Sequence, residues 1–220
     1  MPSRIEKLFH PPELVGLSEA ERNHGRPLRR LVRMVPSRNR SSGVYSLGVH
    51  RTAEIVLVLP RPGGVLLHSK RFYPNGVYRL PTGGVNEGEP ILEAAARELK
   101  EETGMELVPV RFLFHLRYPG PPGSPHRAFH SLGFVFPVSD APLVPEDEGE
   151  QIEAWREAPW HELPDVIEHL ENLEDGWTGW GQFRAMPHQI TLECRGAHPE
   201  WFDRSAGEAP PAGAQDPSCA

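Results

Sequence analysis

The chain has 220 residues, with 23 Lys and Arg against 30 Asp and Glu and a net charge of -7; its overall field attracts neither nucleic acid nor an anionic membrane, and a polyanionic substrate must be met by local cations or by metal. Two cysteines, Cys194 and Cys219, are too few for a disulfide framework or a clustered zinc site and point to a reducing cytoplasm. The opening MPSRIEKLFHPPEL lacks the apolar stretch of a signal peptide, and no run of about 18 apolar residues follows it, so no membrane span is expected.

Residues 21–40, ERNHGRPLRRLVRMVPSRNR, carry seven arginines and one glutamate. They belong to an N-terminal extension, 1–49, and read as a solvated helix whose Leu28, Leu31, Val32 and Val35 pack on the domain; a phosphate-binding or partner-binding arm is the alternative. The domain itself is expected over 50–204. It opens with AEIVLVL (53–59) and GVLLHSKR (64–71), two aliphatic runs separated by PRPGG, which predicts a hairpin. A helix over about 90–103 follows. Further strands are expected in VRFLFHLRY (110–118), AFHSLGFVFPV (128–138) and QIEAWRE (151–157), then a helix near HELPDVIEHLENL and a C-terminal helical part. The tail, 205–220, is rich in Pro, Ala and Gly and is expected to be disordered. Strands on both sides of a central helix, joined by Pro/Gly-rich loops, indicate an α/β (α+β) class with a mixed sheet and helices packed on it.

The central helix sets the chemistry. GGVNEGEPILEAAARELKEETGM, from Gly83 to Met105, holds six glutamates, and Pro90 and Gly104 mark its start and stop. Ile91, Leu92, Ala95 and Leu99 share one face, while Glu98, Glu101 and Glu102 stand at i, i+3 and i+4 on another. Arg97 lies within reach of Glu89, Glu93 and Glu101 and neutralises only part of that charge. An exposed acidic face would cost little, about 0.2 to 0.5 kcal/mol per like-charged pair. Converging carboxylates beside a Gly-Gly loop instead match the oxygen-rich shell that hard divalent cations require.

This stretch resembles the Nudix box, G-x5-E-x7-R-E-U-x-E-E-x-G-U with U a bulky aliphatic residue: Gly83, Glu89, Arg97, Glu98, Leu99, Glu101, Glu102, Gly104 and Met105 fill every specified position. A looser likeness spans about 50–172. The resemblance implies a Nudix αβα sandwich and hydrolysis of a nucleoside diphosphate linked to another group, with Mg2+ as cofactor and Mn2+ able to substitute. It further implies that Glu101 and Glu102 are the main metal ligands, that Glu98 is a ligand or the base that orients water, that the Gly83 carbonyl completes the shell, and that Glu89 and Arg97 are structural.

Outside the box, Glu146, Glu148 and Glu150 form an acidic loop where some members of the family place an extra ligand or base, and Glu150 is the chosen catalytic candidate. Lys70, Arg71 and Arg79 are candidates to meet a substrate phosphate. His126 and His130 flank the loop YPGPPGSPHRAFH, whose length suits a wall over a ligand, and His126 is assigned to substrate. Trp177, Trp180 and Phe183 recur at every third residue and read as core or as a stacking surface for a base. The expected partner is a small nucleotide-derived substrate, of ADP-ribose or nucleotide-sugar type, with a nucleoside triphosphate as runner-up and a Nudix-fold regulator without catalysis as a third reading. No membrane partner is expected, a capped RNA end stays among the substrates to be tried, and a homodimer is compatible with the chain.

Overall fold

The computed structural model describes residues 6–33, 51–120, 128–174 and 176–205, with only the backbone of Glu148. Its centre is a five-stranded mixed sheet of β1 (Leu28–Leu31), β2 (Ala53–Val58), β5 (Thr82–Gly84), β6 (Arg111–Tyr118) and β7 (Phe129–Val135) in the order β1-β6-β7-β2-β5. The β1–β6 and β2–β7 pairs are parallel; β6–β7 and β2–β5 are antiparallel. A second sheet holds β3 (Pro60–Arg61), β4 (Gly64–Lys70) and β8 (Ile152–Ala158), ordered β3-β4-β8 and antiparallel throughout.

Side-chain alternation on β2 explains the layers. Every residue of this strand is buried, because both faces of the sheet are covered. Ala53, Ile55 and Leu57 join α1 (Leu17–His24) and α2 (Ile91–Thr103) in one core, and Val56 and Val58 join α3 (Leu163–Glu171) and α4 (Thr178–Ala197) in the other. The result is the αβα sandwich expected from the sequence.

Local signals place α2 well. Pro90 caps it in an extended conformation, one residue ahead of the first helical turn, and Gly104 ends it at φ 73° with its N–H donating to the Lys100 carbonyl at 2.8 Å. A left-handed cap of this kind favours glycine.

Two expectations are corrected. The helix read across 21–40 ends at His24, and Leu28–Leu31 is a strand: it pairs in parallel with β6, an association no local pattern announces. Val35 lies outside the described residues. The hairpin read from 53–71 forms only between the short β3 and β4, because β2 pairs instead with β5 and β7 and the chain changes sheet at Leu59–Pro60. Proline tolerates this position because a first strand residue need not donate to the ladder. Among the described residues no helix is long and apolar enough to cross a membrane.

Candidate active site

The Gly83 segment and α2 meet face to face. β5 packs against α2, and the Glu98 carboxyl lies directly over the Gly83 α-carbon: a β-carbon there would stand 1.6 Å from Glu98 Cδ. A side chain at this position would have to push the Glu98 carboxyl aside, which accounts for the glycine in contact terms. One turn on, Glu102 is wholly buried, and Glu98 is only 4% exposed.

Arg97 organises the loop before the helix. Its guanidinium donates to Glu89 Oε1 at 2.7 Å and Oε2 at 2.9 Å, to Glu98 Oε1 and Glu101 Oε2 at 2.8 Å each, and to the Gly84 carbonyl at 2.9 Å. These charge-assisted bonds hold Glu89 below the usual carboxylate range and raise the arginine. Two carboxylates are left less well served. Glu98 Oε2 and both oxygens of Glu102 are buried and accept no well-formed hydrogen bond from the described residues. Burial raises Glu98, opposed by Arg97, and pushes Glu102 up to about 8 although Lys70 and Arg79 favour its charged form.

Strand β4 brings its own groups to the same place. His68 and Lys70 alternate onto one face. Lys70 Nζ stands 3.3 Å from Glu102 Oε1 and pairs with Glu150 Oε2. His68 Nδ1 is 4.0 Å from Glu102 Oε1; burial and the nearby Arg79, Lys70 and Arg184 cations drive its pKa far down, so the ring is neutral. The acidic loop reaches the cluster by capping α2. Val144 N–H donates to the Thr103 carbonyl at 2.9 Å, and Glu146 and Asp147 N–H donate to the Glu101 carbonyl at 2.9 and 3.2 Å, satisfying acceptors that a helix end leaves free. Glu150 then lies close enough to raise both Glu98 and Glu102 electrostatically.

The structure therefore brings Gly83, Glu98, Glu101, Glu102, Glu150 and Lys70 together. Arg79 lies next to this group but is buried, donating to Tyr73 OH at 2.7 Å, the Leu80 carbonyl at 2.7 Å and Thr82 Oγ1 at 2.9 Å. Arg71 is exposed at the end of β4. His126 lies outside the described residues. His130 is buried, shares a 2.8 Å hydrogen bond with His115 and is depressed to about 3 by burial, so it belongs to the sheet interior. Phe183 is likewise core, against Tyr118 and Phe129, whereas Trp180 is half-buried between Tyr73 and Trp177.

Sequence reasoning missed a second tier behind these groups. Arg184 on α4 donates to Glu54 Oε2 at 2.8 Å and to Thr82 Oγ1 at 3.3 Å, and Ser131 Oγ donates to Glu54 Oε1 at 2.7 Å. His188 Nε2 accepts the Leu80 N–H at 3.0 Å while Nδ1 lies 2.8 Å from the Arg184 carbonyl. That pattern puts the proton on Nδ1. Burial depresses this ring to about 3. Together they fasten α4 to the segment that presents Gly83. Only the alternation on β2, which points Glu54 inward with Val56, hints at any of it.

The NUDIX domain model matches residues 49–179, more than half of the chain. The chain belongs to the Nudix family. Among curated Nudix relatives, it is 30% identical over 123 residues to Nudix hydrolase 2 of Arabidopsis thaliana, covering 54% of this chain and 39% of that protein. It is 31% identical over 134 residues to an RNA pyrophosphohydrolase of Rhizobium meliloti (51% and 80% covered) and 32% identical over 111 residues to an ADP-ribose pyrophosphatase of Methanocaldococcus jannaschii (50% and 64%). The match thus spans well under half of the Arabidopsis protein. Solved structures similar to it include a MutT protein from Methanosarcina mazei Go1 (TM-score 0.43, 19% identity, 66% of this chain and 95% of that one) and the NUDIX domain of Shewanella oneidensis NrtR complexed with ADP ribose (0.46, 16%, 67% and 88%).

A divalent cation fits the Nudix box of this chain on the structure's own terms. Its donor set is hard oxygen, and three buried carboxylate oxygens of Glu98 and Glu102 accept no well-formed hydrogen bond from the described residues. As the side chains stand, no three His, Cys, Asp or Glu groups among the described residues form a ready-made ligand cluster; Arg97 draws Glu98 and Glu101, and Lys70 stands between Glu102 and Glu150.

Proposed function

We propose that this Nudix protein is a Mg2+-dependent hydrolase that cleaves the pyrophosphate linkage of a nucleoside diphosphate joined to another group, of ADP-ribose or nucleotide-sugar type. One observation carries the reading: two buried, underserved carboxylates on the box helix, Glu98 facing Gly83 and Glu102 facing His68 and Lys70 of β4. Such groups are costly to bury unless a cation or proton compensates them.

Glu98, Glu101, Glu102 and the Gly83 carbonyl would hold the cation. When bound, the ion would neutralise charge on the diphosphate oxygens and make water a better nucleophile at neutral pH. The chain's own residues do the rest. Arg97 keeps the loop from Gly84 to Glu89 closed on α2. Glu98 and Glu150 are placed to orient a water and take its proton, each being a carboxylate beside the reacting space. Arg71, exposed where β4 ends, is free to meet a phosphate, and Phe72 beside it is 55% exposed and offers an aromatic face to the substrate. Lys70 and Arg79, expected to share the phosphate role, already have internal partners.

A second reading, a 5′-pyrophosphate RNA end, is favoured by the names of relatives: several are RNA pyrophosphohydrolases, and one from Stutzerimonas stutzeri is an NAD-capped RNA hydrolase at 33% identity over 121 residues. The net charge of -7 opposes it, since affinity for nucleic acid rests on phosphate neutralisation. Measuring kcat/KM with Mg2+ for ADP-ribose, nucleotide sugars, nucleoside triphosphates and 5′-triphosphate RNA decides between them. ADP-ribose or a nucleotide sugar preferred, with nucleoside monophosphate and sugar phosphate as products, supports the first reading. A preference of more than about tenfold for a triphosphate or RNA end, roughly 1.4 kcal/mol in transition-state binding, refutes it.

A further inference from the structure

The acidic loop is held to the site by more than its backbone. Its near end caps α2, while its far end, which carries Glu150, is tied within the loop: Gly149 N–H donates to Asp147 Oδ1 at 2.7 Å and Glu150 N–H to the Asp147 carbonyl at 3.3 Å. The next residue is unusual. Gln151 adopts φ 52°, alone with a positive φ among the described non-glycine residues, a left-handed conformation that a side chain disfavours and that persists only where the surroundings impose it. Its carbonyl accepts the Arg71 N–H at 3.1 Å, and the β4–β8 register shifts by one residue at Ser69/Lys70. Strain and bulge both fall where the loop runs into β8, opposite the end of β4. The shift leaves Glu153 of β8 as the extra residue. Lys70 keeps the regular alternation of β4 and is 7% exposed, with its ammonium between Glu102 of α2 and Glu150 of the loop.

We propose that Lys70 is the positioning residue of Glu150: by bridging Glu102 and Glu150 it fixes the loop carboxylate at the box helix, against a strained Gln151 backbone. The inference rests on the reading of Glu150 as part of the reactive site, yet its structural half stands apart from it. Lys70 is not a phosphate contact in this arrangement. Without this ammonium, Glu150 loses the ion pair that holds it at the box helix.

The test compares full-length wild type with Lys70→Met, Lys70→Arg and Glu150→Ala by hydrogen exchange of the peptide covering 144–151 in the presence of a chelator, together with steady-state kinetics on the preferred substrate. In Lys70→Met the loop amides exchange faster by about tenfold while those of α2 do not change, and Lys70→Arg restores protection. Glu150→Ala loosens the same peptide with Lys70 intact, which supplies the answer if Lys70→Met fails to fold. In activity, kcat falls with KM held within about twofold, and Lys70→Met combined with Glu150→Ala is no slower than Glu150→Ala alone, as for groups that act as a unit. Unchanged loop exchange in both variants overturns the proposal, as does a rise in KM at constant kcat, the signature of a lost substrate phosphate contact. The exchange result is read even where no substrate is turned over, so its failure is separable from failure of the hydrolase reading.

Discussion

Replacing Glu102 by glutamine in the metal-free protein should stabilise it, and the size follows from the site. Both carboxylate oxygens are buried without a well-formed donor, and burial pushes the group from the ordinary 4.5 up to about 8. The folded state therefore binds this proton more tightly than the unfolded chain does. A raised acid contributes stability that is fully present below the unfolded value and is lost as pH rises through the folded one, here across pH 4.5 to 8. At about 1.4 kcal/mol per pH decade, the loss by pH 7 is about 3 kcal/mol. Glutamine reproduces the neutral acid's shape and carries no charge to desolvate. Urea unfolding in a chelator should then show wild-type stability falling between about pH 5 and 8, and a Glu102→Gln curve lying above it by up to about 3 kcal/mol at pH 7, or several degrees in Tm, and converging with it near pH 5. Saturating Mg2+ reverses the order, because it stabilises only the form that binds it. A gap between the two proteins that stays constant across this pH range refutes the electrostatic account of the site.

Glu98→Gln, Glu101→Gln and Glu102→Gln should each lower kcat by about a hundredfold or more with the fold retained, measured by steady-state kinetics and circular dichroism; near wild-type rates in all three remove the metal-site reading. Gly83→Ala should approach the Glu98→Gln defect, because a β-carbon 1.6 Å from Glu98 Cδ must displace that carboxylate, and a variant with unchanged kcat shows that the contact is dispensable. Arg184→Met should cost about 3 to 5 kcal/mol in urea unfolding, as expected when one partner of a buried ion pair is removed and Glu54 is left without its cation. Arg71→Ala should raise KM for the preferred substrate by about tenfold and leave kcat nearly unchanged, and an unaltered KM excludes it as a phosphate contact.

What the sequence determined by itself is short-range. The limits of α2 were legible because capping acts within one turn: Pro90 and Gly104 stand beside the groups they satisfy. The face shared by Glu98 and Glu102 followed from the helical period, and the box pattern was complete enough to name the chemistry. The strands over 53–58, 64–70, 111–118 and 129–135 followed from aliphatic and aromatic runs between breakers. Tertiary structure alone decided what those pieces meet. The segment 28–31 reads as part of a solvated helix because Arg29 and Arg30 lie at its centre within an arginine-rich run, yet backbone pairing to β6 needs only N–H and C=O groups, which no side-chain pattern reports. Lys70 and Glu150 are 80 residues apart in the chain, and Glu54 and Arg184 are 130. Their encounters depend on which strands and helices neighbour one another in the closed fold. The degree of burial is collective too: Glu101 and Glu102 are adjacent in sequence, but one side chain keeps 34% exposure and the other none, because only Glu102 turns under β4. That difference sets the charge state of the site, and it exists only once the sheet has closed over the helix.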